Sequence, residues 1–232
     1  EIRIKGEPTT LAELDATYPP VPDHENGALV YLRAVELLDT FGEGKEFDFE
    51  AGRIKRRLEE NTYSLETLSQ AREYLQERRP VLELAKEALG YIRYRYPIDL
   101  SELPDGDWNN DALRGLYDLT NLLWIQGFVA LEDDDWDTIL DCQRLIYHLA
   151  HSLQTMPCEL NTRGLTIVRD ARRLVQRSIS TGKGPATLYR TLAPLYETMD
   201  PDVFLRYSLL GERLRATYKL MSYYRGDSPQ EH

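Results

Sequence analysis

Leu122-Leu123-Trp124-Ile125-Gln126-Gly127-Phe128-Val129-Ala130-Leu131 is apolar nearly all the way round a helix. A helix without a polar stripe has to be covered on several sides, so this stretch decides the fold. Asn110 or Asp111 opens the helix, and it ends near Leu131. The acidic run Glu132 to Asp135 then makes a turn and sets negative charge at the next helix N-terminus, where the helix dipole favours it.

The following helix runs to about Leu153. At 100° per residue, Trp136, Ile139, Leu140, Cys142, Ile146, Tyr147, Leu149, Ala150 and Leu153 fill about half of its circumference. Asp137, Asp141, Arg144, His148 and His151 fill the opposite side. Such a wide apolar face requires more than one neighbouring helix.

The same periodicity extends toward the C-terminus. Pro157 begins a helix with Ile167, Val168, Ala171, Leu174 and Val175 inward, closed by Gly182 and Gly184. Pro185 to Met199 forms a further helix, interrupted by Pro194. A last one runs from Pro201, with Val203, Phe204, Tyr207, Leu210 and Leu214 as its stripe.

Toward the N-terminus, Thr10 and Glu13 have the spacing of a capping box. Asp23 is expected to cap a helix carrying Ala28, Tyr31, Leu32, Val35 and Leu38, and Asp48 to start another through Leu58. From Ser64 to Gly90 the apolar register stays in phase across Pro80, which predicts one helix kinked there. Tyr91 to Gly106 is the least helical stretch, and Tyr91 to Tyr96 alternates as an extended segment does.

The expected fold is all-α. Antiparallel αα-hairpins form an array, partly tetratricopeptide-like around Gly127, Ala130, Asp134 and Trp136, that closes into a compact bundle or short superhelix. Residues 1–225 form one domain with a weak internal boundary near 91–106, and 226–232 form a disordered tail.

The 232 residues carry a net charge of −11, with a sequence pI near 4.9. A nucleic-acid binder needs a basic footprint, so nucleic acid is not an expected partner, and anionic membrane surfaces are disfavoured for the same reason. The balance leaves room for a locally basic face. No apolar run is long enough to insert in a bilayer. The sequence starts at Glu1 without a methionine; removal of an upstream signal peptide or membrane anchor is one reading, and a chain simply trimmed at this point is the other. Cys142 and Cys158 fall on successive helices roughly 15–20 Å apart, too far for a bridge.

His148 and His151 share a helix face with Asp137, Asp141 and Arg144, and these five are the candidate binding residues. Histidines near carboxylates are metal-ligand material. Without a third ligand in sequence they form a solvated charged face, so neither a metal nor a cofactor is expected. Glu132 to Asp135 lacks the alternating ligands and glycine of a calcium loop. Thr181-Gly182-Lys183-Gly184 follows a helix and lacks the flanking residues of a phosphate loop, which makes it a helix stop. Arg163, Arg169, Arg172, Arg173 and Arg177 line the outer side of one helix. They suit an anionic partner or ligand, although pairing with an acidic helix is the commoner use of such a stripe.

Leu11-Ala12-Glu13-Leu14-Asp15-Ala16-Thr17-Tyr18-Pro19-Pro20-Val21-Pro22-Asp23-His24-Glu25-Asn26 resembles the N-terminal signature of an uncharacterised family of helical proteins of planctomycete-type bacteria. The stretches His148-Leu149-Ala150 and Met156-Pro157-Cys158 are similar to that family as well. Thr17 stands where many of its members have Trp. The resemblance implies helices and export, with an N-terminal anchor, and supplies no activity.

No nucleophile elbow, zinc-helix motif, dinucleotide loop or kinase signature is present. The functional expectation is a non-enzymatic helical binding or scaffold protein, its partner another protein, located in the periplasm or tethered outside the cytoplasm. A cytoplasmic location is the alternative. Two acids far apart in sequence leave no local signature. The alternative function is therefore a hydrolase-type enzyme using carboxylates or His148 and His151 in an inter-helix pocket.

Overall fold

A computed structural model describes residues 10, 13, 16, 19–41, 49–60, 63–97, 111–153, 159–182 and 184–197. Eight α-helices lie among them: α1 (Gly27–Asp39), α2 (Phe49–Glu59), α3 (Leu65–Glu77), α4 (Arg79–Glu87), α5 (Asp111–Glu132), α6 (Trp136–Leu153), α7 (Glu159–Ser180) and α8 (Ala186–Glu197). The described residues contain no β-strand, only one isolated parallel bridge between Asn26 and Arg93. The fold is all-α, as the periodicity requires.

The apolar run at 122–131 makes α5 the central helix. It packs against α1, α2 and α3 on the N-terminal side and against α6 and α7 on the C-terminal side. Leu116, Leu119, Leu122, Leu123, Ile125 and Phe128 are buried, and they join one hydrophobic cluster that runs from Ala28 in α1 to Leu192 in α8. The last helix expected from sequence, from Pro201, and the tail lie outside the described residues, as does Cys158.

The α5–α6 turn satisfies its own backbone. Asp135 N–H donates to Ala130 O and Asp134 N–H to Leu131 O, while Asp134 takes the left-handed conformation at φ 55°. This is a Schellman closure with aspartate where glycine is usual. Asp135 then caps α6: its Oδ1 accepts from Thr138 N–H and its Oδ2 from the Thr138 hydroxyl. Behind the turn, a Cβ on Gly127 would stand 2.5 Å from Leu174 Cδ2 and 3.4 Å from Cys142 Cβ. The missing side chain is what lets α5 meet α6 and α7 so closely.

Two local expectations are corrected. The Ser64–Gly90 stretch is two helices, α3 and α4, separated at Arg78, whose φ and ψ are −95° and 13°. Pro80 has no N–H to give to Gln76 O and its ring crowds that carbonyl. The chain therefore breaks before the proline and restarts with it in the first turn of α4. Arg78 is buried in the break, its guanidinium 3.8 Å from the centre of the Tyr74 ring and 3.1 Å from Glu77 Oε2. The second correction concerns the cap of α1. Asp23 begins a short 3-10 turn, and Asn26 is the cap, its Oδ1 accepting from Ala28 N–H.

Asn26 also fastens the extended segment after α4. Its Nδ2 donates to Arg95 O at 2.7 Å and its Oδ1 accepts from Arg95 N–H at 2.8 Å. Gly27 N–H adds a bond to Arg93 O, and a Cβ on Gly27 would fall 2.5 Å from Tyr94 Cε1.

Candidate functional site

Lys55 stands on the apolar face of α2, among the buried residues Ala51, Ile54 and Leu58. A lysine in that register has to find partners within the core or lose several kcal/mol to desolvation. Lys55 Nζ donates to Asp170 Oδ2 of α7 at 2.5 Å and to Asn121 Oδ1 of α5 at 3.0 Å. Its ammonium also lies 5.6 Å from the Trp124 ring centre and 5.7 Å from that of Tyr117, within cation–π range. Asp170 and Asn121 are only 1% and 2% exposed.

The second oxygen of Asp170 faces outward to two guanidiniums, with Arg169 Nε and Arg173 Nη1 each 3.8 Å away. Arg173 reaches across to Glu59 Oε1 of α2 at 3.4 Å. Three helices are thus joined by a polar thread that starts in the core at Asn121 and surfaces at Arg173. Beside it opens a cavity of about 640 Å³, within the size range of small-molecule sites. Trp124 and Glu59 form part of its wall, and Arg173, Gln176, Arg177, Ser180 and Thr181 from the end of α7 form the rest.

The aromatic side of the site holds Arg177. Its guanidinium lies 4.5 Å from the Phe128 ring centre and 5.3 Å from that of Tyr63. Phe128 in turn stacks on Trp124 at 5.3 Å. Burial raises the Tyr63 pKa, helped by a hydrogen bond to Glu132 and opposed by one to Arg177. Ser180 Oγ donates to Arg177 O and Thr181 Oγ1 to Ser178 O, so both hydroxyl protons are engaged by the backbone.

The five residues singled out on α6 are arranged differently. Asp137 and His151 are exposed, and Asp141, Arg144 and His148 are half-buried. His148 Nδ1 lies 2.9 Å from the Tyr94 hydroxyl, and the rings meet edge to face at 6.4 Å. Burial lowers the His148 pKa, and the charges of His151 and Arg144 lower it further. Burial raises Tyr94 in turn to about 12. Among the described residues no group of three or more His, Cys, Asp and Glu is placed to hold a metal.

Of the arginine stripe on α7, Arg173 and Arg177 enter the cavity wall and Arg169 pairs with Asp170. Among the described residues, the acidic groups near Arg169 and Arg173 are Asp170 and, for Arg173, Glu59 of α2. Lys55, Asn121, Trp124 and Asp170 had a signal in the sequence: three polar residues in phase with apolar stripes, and an indole next to them. Gly182, at φ 67°, ends α7 as a helix stop.

Among the described residues no helix is long and apolar enough to cross a membrane. Comparison of the chain with protein-family models, with curated proteins and with solved structures finds no match.

Proposed function

We propose that this protein is a non-catalytic helical binding module whose ligand sits in the cavity between α2, α5 and α7. The observation that carries this reading is the joining of a cavity of about 640 Å³ to a buried Lys55–Asp170–Asn121 network. Binding sites work best when the groups that line them are held by a rigid second layer. Here that layer is the buried Lys55–Asp170 ion pair with Asn121 bonded to the same ammonium. Trp124 supplies apolar surface, and Arg173, Gln176 and Arg177 supply polar contacts, the usual division of labour in a small-ligand site. Export with an upstream anchor belongs to the same proposal and rests on the N-terminal resemblance.

The test is a fragment screen read by ¹H–¹⁵N NMR on the intact chain, with Gln176→Trp as a cavity-filling variant. Gln176 is exposed, so the variant is expected to fold normally. Hits are expected to shift signals of Trp124 and the 173–181 segment, and to be lost in the variant. Hits that map elsewhere, or that persist in Gln176→Trp, would refute the reading.

A further inference from the structure

The charge of this chain is unevenly spread. Helix α2 carries Arg53, Lys55, Arg56 and Arg57 against Glu50 and Glu59, and α7 carries five arginines against Glu159 and Asp170. These two helices therefore hold an excess of five positive charges in a chain of net −11. The cavity lies between them.

Two buried donors of residues in its wall lack acceptors among the described residues. Trp124 is 2% exposed, and its Nε1–H has no hydrogen-bond partner; nor does Arg177 Nε–H. A buried donor left unmade is costly, and an acceptor that reaches it repays that cost without competition from water. Glu59, the carboxylate in the wall, is already engaged by Arg173. No carboxylate among the described residues lies within ion-pair distance of Arg177, whose guanidinium sits over the Phe128 ring with Tyr63 beside it.

We propose that this cavity is an oxyanion site, in which Arg177, Arg173 and the Trp124 indole N–H take the phosphate or carboxylate group of a small organic ligand. The guanidiniums supply charge and forked donors. The indole supplies a neutral donor, and its ring gives the ligand body an apolar wall. Ser180 and Thr181, whose protons are spent on backbone carbonyls, accept from a hydroxyl or amine on that body. This inference rests on the binding-module reading and specifies its ligand.

The experiment follows the Trp124 indole signal in ¹H–¹⁵N spectra, identified by its disappearance in Trp124→Phe. Sodium phosphate and sodium acetate are titrated separately, against sodium chloride at the same ionic strength. A downfield, saturable shift with phosphate or with acetate, absent with chloride, is expected, and the stronger of the two names the oxyanion. Arg173→Gln and Arg177→Lys, each shown to keep the wild-type melting temperature, are expected to weaken it about tenfold or more. Should Arg177→Lys unfold, Arg173→Gln alone carries the test. A shift that merely follows ionic strength, or none at all, overturns the inference. If neutral fragments move the same signal while both anions fail, the cavity binds and only the oxyanion assignment falls. If nothing moves it, both readings fall together.

Discussion

Lys55 Nζ and Asp170 Oδ2 meet at 2.5 Å with side chains only 8% and 2% exposed, joining α2 to α7 through the core. A buried ion pair adds little net stability, because desolvation offsets the attraction, but removing one partner strands the other. Lys55→Met is expected to cost roughly 3 kcal/mol in urea unfolding, moderated by Arg169 and Arg173 near the stranded carboxylate. The double variant Lys55→Met with Asp170→Leu is expected to recover most of that loss. A double variant as unstable as the sum of its singles would show that the two side chains are not energetically coupled, and would refute the pairing argument.

Asn26 makes three bonds with one amide. Asn26→Ala removes a helix cap and both bonds to Arg95, and a loss of about 2–4 kcal/mol is expected. Asn26→Asp keeps the acceptor for Ala28 and Arg95 N–H but sets a carboxylate against Arg95 O, so it is expected to fall between wild type and alanine. Equal stability of Asp and Asn at this site would show that the Nδ2 bond contributes nothing.

Acid sensitivity is expected from His148. Its folded pKa is lowered, first by burial and then by His151 and Arg144, below an unfolded value of about 6.5. Between the two values the unfolded chain binds more protons, so stability is full above about pH 6.5 and declines as pH falls toward the folded pKa. His148→Gln is expected to flatten this decline. Denaturation midpoints at about pH 7.5 and about pH 5.5 check it, and identical slopes in the two proteins would remove His148 as the cause.

The α5–α6 turn offers a gain and a loss two atoms of backbone apart. Asp134→Gly relieves a left-handed conformation and is expected to stabilise by about 0.5–1 kcal/mol. A drop in melting temperature would mean that the contacts of its side chain outweigh the strain. Asp135→Ala is expected to cost about 1 kcal/mol as a lost cap. The Thr138 hydroxyl, then the Thr138 N–H, lowers the Asp135 pKa. Its contribution is therefore present above about pH 3.9 and lost as pH falls through the folded value.

The sequence makes α5 legible because nothing but burial on several sides accounts for ten residues with one polar side chain. The helix break at Arg78 is hidden by the same logic: apolar phase is kept across it, since Val81, Leu82 and Ala85 face the same core as Leu68 and Ala71. Asp23 and Asn26 have equal chemistry as caps, and only the tie to Arg95 decides between them. The candidate site suffers most. His148 and His151 stand out in a chain with 4 histidines, whereas Lys55 and Asp170 look like two of many charges. Their meaning lies in phase: each occupies a slot where its helix otherwise places Ile, Leu or Ala.

The paired amide of Asn26 and the backbone of Arg95 lie 69 residues apart in sequence, and together they act as a noncovalent buckle. They draw residues 26 to 95 into a closed ring that holds α1 to α4. A tug on the chain from outside the ring loads the buckle before it reaches the core. The Asn26 amide, with the Gly27 N–H beside it, is thus where the two ends of this ring are joined.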